Sequence, residues 1–307
     1  MAINPRDLTI VIPAYRCARF LPATVRSALR CGEMPILIVE DHAPDDTLET
    51  AQALAKQNPG RITVVAQPKN LGTTRNWQSA LEQVRTPLTL KLDDDDIIDP
   101  PYVQAAMEFL EEHPKVGIVA GADHDIPEDF GVGEDLANSD FPVTDSPVTA
   151  ADFREYSGVD AAELVLRADP YPGSSSTIYR MSTWREVGGF DANLGWCADR
   201  EIWFRVALHA SIAQTKREVV FHRMHPIGVT GNFRRGDRFC YEWSYMYRKT
   251  RRAWPQRELT PLFRRHMAVN SKAFFGSCRR AARAGRFKEI IPRALAGFRD
   301  AAWALSV

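Results

Sequence analysis

Cysteine is scarce and unpaired in this chain of 307 residues: Cys17, Cys31, Cys197, Cys240 and Cys278 are scattered, with no Cys-x-x-Cys among them. That spacing argues against a disulfide framework and against a structural zinc site. No apolar run approaches the ~18 residues that a membrane span requires. The opening Met-Ala-Ile-Asn-Pro-Arg-Asp has no basic segment leading into an apolar one. A secretory signal is therefore not expected, and the cytoplasm is the default compartment. No Gly-rich loop ends in Lys-Ser/Thr, which argues against a P-loop nucleotidase. Internal repeats and low-complexity tracts are absent. Net charge is absent too, with 39 Lys and Arg against 39 Asp and Glu, so the overall balance points to no nucleic-acid partner. The balance hides an asymmetry. Cys240 to Val307 carries fifteen Lys and Arg against four acids, whereas Asp93 to Glu155 is acidic.

The first hundred residues alternate between strand and helix patterns. Leu8 to Ile12 is β-branched and continuous, then meets Pro13, as does a strand buried on both faces. Further strands are predicted at Pro35 to Val39, Ile62 to Val65 and Pro87 to Leu92. Helices are predicted at Arg19 to Leu29, Asp46 to Lys56 and Gly72 to Val84, each with apolar residues at helical spacing. Such alternation with short connections predicts an α/β fold, a mostly parallel sheet with helices on both faces. Ligands then gather at the carboxyl ends of the strands. Those ends carry Tyr15, then Glu40 and Asp41, then the run from Asp93 to Asp96. Beyond them, Tyr102 to Glu112 reads as helix and Val116 to Ala120 as strand. Asp123 to about Ala150 reads as a long loop and Ala151 to Ala168 as helix. Ser175 to Tyr179 reads as strand and Asp199 to Leu208 as helix.

An acidic run at a strand end is chemically pointed. In an extended segment Asp93 and Asp95 face the same way. Two carboxylates so placed repel, and one keeps its proton unless a cation lies between them. A hard divalent ion, Mg²⁺ or Mn²⁺, resolves the conflict and leaves room for a substrate's phosphates.

With these residues in view, the chain resembles the family 2 glycosyltransferases of the GT-A fold. Leu92 to Asp96 is similar to the family's Leu-Asp-x-Asp-Asp, which sets its metal-binding Asp-x-Asp on Asp93 and Asp95. The resemblance implies that Asp95 meets the metal, with Asp93 and Asp94 on the donor side. Thr9 to Tyr15 resembles the family's first strand and its Pro-x-Tyr turn, placing Pro13 and Tyr15 at the nucleotide. An aromatic face can stack a base for about 1–3 kcal/mol, and Tyr15 fits either that role or a rim tyrosine. The family's Asn after this Tyr is Arg16 here. Ile38 to Thr47 resembles its Val-Asp-Asp-Gly-Ser stretch, with Asp41 as the acid that accepts from the base. His42-Ala43-Pro44 replaces the Gly-Ser. Asn70 to Asn76 resembles its Asn-x-Gly…Arg-Asn, adding Asn70, Gly72 and Arg75 to the donor site.

A second block resembles the acceptor side. Val187 to Asp191 matches Val-Gly-Gly-Phe-Asp, and Trp196 to Arg205 resembles the helix that carries the catalytic base, which falls on Asp199. The family's preceding Glu is Ala198 here. Trp196 fits a sugar platform or a core position equally. His222 to Pro226 resembles a late Arg-x-His, bringing Arg223 toward the phosphates and His225 toward the metal. The resemblance implies a metal-dependent, inverting transfer of one sugar from a nucleoside diphosphate, UDP favoured. The acceptor is then a carbohydrate or lipid-linked hydroxyl in cell-surface polysaccharide or glycolipid synthesis. Two other readings stand beside it: a non-catalytic nucleotide-sugar-binding or scaffold protein, and a sugar-nucleotide pyrophosphorylase.

Residues 1–232 are expected to form the GT-A domain, 1–122 as the nucleotide-sugar half and 123–232 as the acceptor half. Residues 233–307 then form a basic helical C-terminal extension. Its apolar residues at helical spacing suit either packing on the domain or contact with the inner face of a membrane. The sequence does not fix an oligomeric state.

Overall fold

The computed structural model describes residues 4–132, 146–166, 174–195, 197–225, 238–254 and 259–306, with side chains omitted at 238–240 and 306. Strands β1 (Leu8–Ala14), β2 (Ile36–Glu40), β3 (Ile62–Ala66) and β4 (Leu88–Lys91) alternate with helices α1 (Leu21–Arg30), α2 (Thr47–Gln57) and α3 (Thr73–Glu82). The chain continues through β5 (Ile97–Ile98), α4 (Pro100–Glu112), β6 (Val116–Pro127), β7 (Arg154–Tyr156) and α5 (Gly158–Leu166). Next come β8 (Ile178–Arg180), α6 (Met181–Glu186), α7 (Ala198–His209) and β9 (Ser211–Met224). Three helices close it: α8 (Arg238–Ala253), α9 (Thr260–Arg283) and α10 (Ile290–Ser306).

Among the described residues nine strands join one sheet, ordered β3-β2-β1-β4-β8-β6-β9-β5, with β7 also on β9. β3, β2, β1 and β4 are parallel, as the alternation predicts. Past β4 the sheet is mixed: β8 runs antiparallel to both β4 and β6, and β5 and β7 run antiparallel to β9.

Every residue of β1 is buried, and the strand period divides them. Leu8, Ile10 and Ile12 face a core with Leu21 and Val25 of α1 and Tyr102 and Phe109 of α4. Val11 faces the other core, with Leu81 of α3, Trp203 and Phe204 of α7, and Met246 and Phe263 of α8 and α9. The basic C-terminal helices therefore share the sheet's own core.

Several expectations are corrected. Pro13 does not end β1: it pairs with Val39 and the strand runs on to Ala14. Ala14 accepts from Asp41 on the β2 side and Val11 accepts from Leu92 on the β4 side. By that alternation Pro13 faces beyond the end of β4, where its missing N–H breaks no ladder bond. The stretch from Asp123 is no loop at its start, because β6 continues to Pro127 along β9. The segment read as helix over 151–168 holds a 3-10 turn, β7 and α5. Residues 133–145 of the expected loop lie outside the described residues.

Candidate active site

The acidic run is a turn and not an extended segment. β4 stops at Lys91, and Asp96 N–H donates to the Asp93 carbonyl at 3.3 Å. Each carboxylate therefore turns to a different partner. Asp93 Oδ1 meets Lys91 Nζ at 2.5 Å, and the Asp93 N–H donates to Ser175 Oγ at 2.8 Å. Asp94 Oδ2 accepts from the Tyr15 N–H at 2.7 Å, which ties the β4 turn to the end of β1. Asp95 Oδ2 lies 2.7 Å from His225 Nε2. Asp96, buried, accepts from the Arg223 N–H at 3.0 Å and lies 3.2 Å from His222 Nδ1.

This crowding has an electrostatic signature. Burial, then the charge of Asp95, raises the pKa of Asp94 well above the usual carboxylate range. Asp96 is raised by the same two causes in the same order. Burial opposes charge on His222, but Asp96, with Asp95 and Asp123 behind it, lifts the imidazole to about 10. Excess negative charge at a strand mouth is what a cation relieves. Among the described residues no three His, Cys, Asp or Glu side chains form a group that could hold a metal. Asp95 and His225 are a convergent pair, and Asp93, expected beside them, is turned toward Lys91. A Mg²⁺-like ion commonly takes only one or two protein groups and completes its shell with phosphates and water. The pair fits that demand, Asp95 as the oxygen ligand and His225 beside it.

Arg223, expected near the phosphates, is engaged by the protein's own carbonyls through Nε and Nη1. It is buried, and its guanidinium donates to the carbonyls of Asp95 at 2.9 Å, Glu128 at 2.8 Å and Phe130. It thereby fastens β9 to the β4 turn and the end of β6, and burial lowers its pKa.

At the end of β2, buried Asp41 accepts from the N–H groups of Leu71 at 2.7 Å and Gly72 at 2.9 Å, and from Asn70 Nδ2 at 3.0 Å. Three of a carboxylate's roughly four acceptor sites thus order the turn into α3. Gly72 has φ +82°, a conformation only glycine adopts freely. Arg75, in the first turn of α3, is exposed with no hydrogen bond or ion pair among the described residues. Tyr15 is exposed beside the Asp94 turn, while Pro13 is buried within β1.

Arg16 and His42 stand where the resemblance has Asn and Gly. Their φ values are +56° and +54°, the described non-glycine residues with positive φ. Asn and Gly are suited to that region. The backbone conformation is thus present here with less permissive side chains, at the ends of β1 and β2.

Asp199 opens α7 and is buried, with the Arg200 N–H donating to Oδ1 at 2.6 Å. Tyr179 of β8 is buried and accepts from Trp203 Nε1 at 3.2 Å. Burial raises its hydroxyl's pKa, and the charges of Asp199 and Asp93 raise it further. The loop before α7 is held from α8: Glu242 Oε2 accepts from the Gly195 and Cys197 N–H groups at 3.0 and 3.4 Å. Lys249 of α8 bridges Asp191 at 2.6 Å and Glu201 at 2.9 Å. Trp196 lies outside the described residues.

Sequence reasoning missed Lys91, His222 and Glu242. A lysine within the apolar strand Leu-Thr-Leu-Lys-Leu is a readable signal, because a buried ammonium requires a carboxylate. Glu242 has no such signal, since its partners lie about fifty residues upstream.

Residues 9–147 match the model of glycosyl transferase family 2. This part of the chain belongs to that family. The curated relatives of the region include a chondroitin synthase of Pasteurella multocida, 32% identical over 108 residues, 34% of this chain and 11% of that protein. A chondroitin synthase of Escherichia coli is 30% identical over 103 residues, 33% of this chain and 15% of that protein. The chain thus spans a small fraction of the length of the curated relatives it matches. Among solved structures, S. aureus TarS in complex with UDP-GlcNAc superposes with TM-score 0.60 at 13% identity, over 95% of this chain and 91% of that one. A mannosyltransferase of Pyrobaculum calidifontis in complex with GDP-Man and Mn²⁺ gives 0.59 at 13%, over 97% and 87%. The fold likeness reaches well past the family 2 region, and the GT-A fold expected from the sequence is the one observed.

Proposed function

We propose that the chain is a glycosyltransferase that moves a single sugar from a nucleoside-diphosphate sugar, UDP favoured, to an acceptor hydroxyl with inversion. The observation that carries this reading is the convergence of Asp95 and His225 at 2.7 Å within a carboxylate-rich turn. The family 2 match of residues 9–147 supports it, as do the two solved neighbours in complex with UDP-GlcNAc and with GDP-Man and Mn²⁺.

Asp95 and His225 would hold a divalent ion, Mn²⁺ or Mg²⁺. Such an ion, when bound, offsets the charge that develops on a departing diphosphate. Asp93, fixed by Lys91, would lie beside the ribose or the outer shell of that ion. Asp41, Asn70, Gly72 and Arg75 form the nucleotide side, with Tyr15 as a face for the base. Asp199 accepts the acceptor hydroxyl's proton as that oxygen attacks the anomeric carbon. The nucleoside diphosphate leaves from the opposite face, so one displacement inverts the centre. The acceptor is a carbohydrate or lipid-linked hydroxyl of cell-surface polysaccharide or glycolipid synthesis, a reading that the synthase relatives support.

A non-catalytic, nucleotide-sugar-binding reading has one observation in its favour. Oδ1 of Asp199 accepts from its own helix's Arg200 N–H, as in a helix-terminal acid. A transfer assay across a donor panel, with Mn²⁺ and with chelator, separates the two. Metal-dependent transfer with an inverted product supports the enzyme. Donor binding without transfer or donor hydrolysis supports the binding protein.

A further inference from the structure

Helix α10 carries four large apolar residues on the outside, while Trp303 packs inward against Phe263. The face toward α9 is made of Ala296, Gly297, Asp300 and Ala304, all buried. A Cβ on Gly297 would stand 3.1 Å from Phe274 Cβ, so the two helices approach closely. The outer side presents Ile291, Leu295, Phe298 and Leu305 at 69%, 63%, 63% and 85% exposure, with one edge of the Phe298 ring against Phe275 of α9 at 5.0 Å between centroids. Ala302 fills the remaining step of that stripe. Spacings of four, three, four and three residues keep these positions on one side of a helix. Phe287, equally exposed just before the helix, extends the stripe. Single exposed apolar residues need no explanation, but a contiguous row marks an interaction surface.

The charge around the stripe identifies the partner. Residues 259–306 contain ten Lys and Arg and two acids, Glu289 and Asp300. Both acids are neutralised internally. Asp300 accepts from Ser244 Oγ at 2.7 Å and Asn270 Nδ2 at 2.8 Å and pairs with Arg248. Glu289 is held by Arg286 at 3.2 Å and by Arg293. Arg279, Arg283, Lys288 and Arg299 are exposed and make no ion pair among the described residues. The exposed charge left over in residues 259–306 is therefore cationic, beside an apolar crest on α10. We infer that this face lies on an anionic lipid surface, with Ile291, Leu295, Phe298 and Leu305 in the boundary of headgroup and acyl chain. The flanking Lys and Arg meet lipid phosphates, and each such contact adds to apolar insertion. A second copy of the chain suits this face poorly, because a two-fold contact would bring the same cations together.

The inference does not rest on the transfer reading, and its test reads lipid binding alone. The full chain is floated with phosphatidylcholine vesicles, with and without phosphatidylglycerol. Binding is expected only with the anionic lipid, and it weakens as salt is raised. Leu295→Glu with Phe298→Glu should lower vesicle affinity roughly a hundredfold, since each large side chain contributes about tenfold or more. Lys288→Glu with Arg299→Glu leaves the apolar stripe intact and should also weaken binding. Circular dichroism and melting temperature check that both variants fold. Failure of the wild-type chain to float with anionic vesicles overturns the inference, as does undiminished flotation of both variants. A dimer that the Leu295→Glu, Phe298→Glu variant splits, with no vesicle binding, would make the face a self-interface and equally overturn it.

Discussion

Replacement of Lys91 by methionine tests how the acidic turn is held. Lys91 is fully buried, and its ammonium has two partners, Asp93 Oδ1 at 2.5 Å and the Trp77 ring, whose centroid is 4.0 Å away. Methionine keeps most of the stem's packing and removes the charge. Asp93 is then left without its counter-ion, with its side chain 28% exposed. Removing one partner of a fully buried ion pair costs roughly 3–5 kcal/mol. Solvent reaches Asp93, so screening reduces the expected cost to about 2–3 kcal/mol. For a chain of this length that is a fall of about 3–5 °C in melting temperature. The assay is thermal unfolding followed by circular dichroism, first in chelator and then in Mn²⁺. A carboxylate released from Lys91 adds negative charge beside Asp95, so Mn²⁺ should raise the melting temperature more in the variant than in the wild type. A variant that melts within about 1 °C of the wild type in chelator would refute the reasoning, because Asp93 would then not depend on the lysine.

Three further outcomes are expected. Asp199→Asn should lower turnover by roughly 10²–10⁴-fold with donor affinity retained, and full activity in that variant would remove Asp199 as the base. Glu242→Ala leaves the Gly195 and Cys197 N–H groups without their acceptor. It should destabilise the fold by about 1–3 kcal/mol and reduce turnover through the loop before α7, as urea unfolding and kinetics would show. Burial, then Arg200, lowers the pKa of His266 to about 4 from 6.5. The unfolded chain binds that proton below pH 6.5 and the folded chain does not until about pH 4, so stability should fall as pH drops across that window. His266→Gln should flatten the slope of melting temperature against pH there, and an unchanged slope would show that the imidazole is not held neutral.

The parallel half of the fold was legible because each of its strands is a short apolar run bounded by turn residues. β9 was not legible: Lys216, Arg217 and Glu218 interrupt it, and no clean alternation marks its buried residues. The acids Asp123 and Asp125 disguised the end of β6, whose pairing with β9 keeps it a strand. At the site, the acidic run and the Asn70 to Gly72 turn were readable as chemistry at strand ends. The direction of each side chain was not, because the turn after Lys91 gives Asp93, Asp94, Asp95 and Asp96 separate partners where an extended segment would have paired them. Arg223 matched a phosphate-facing motif, yet carbonyls brought together by β4, β6 and β9 take its guanidinium. The Arg223 and His225 contacts join residues more than ninety apart, which no local pattern encodes.

Mn²⁺ binding followed by electron paramagnetic resonance, with and without UDP, tests the proposed chemistry most directly. Free Mn²⁺ signal should be depleted by the wild-type chain, more strongly when UDP is present, and neither Asp95→Asn nor His225→Ala should retain that depletion. Equal Mn²⁺ uptake by the wild type and Asp95→Asn, or no uptake by the wild type with UDP, would contradict the account.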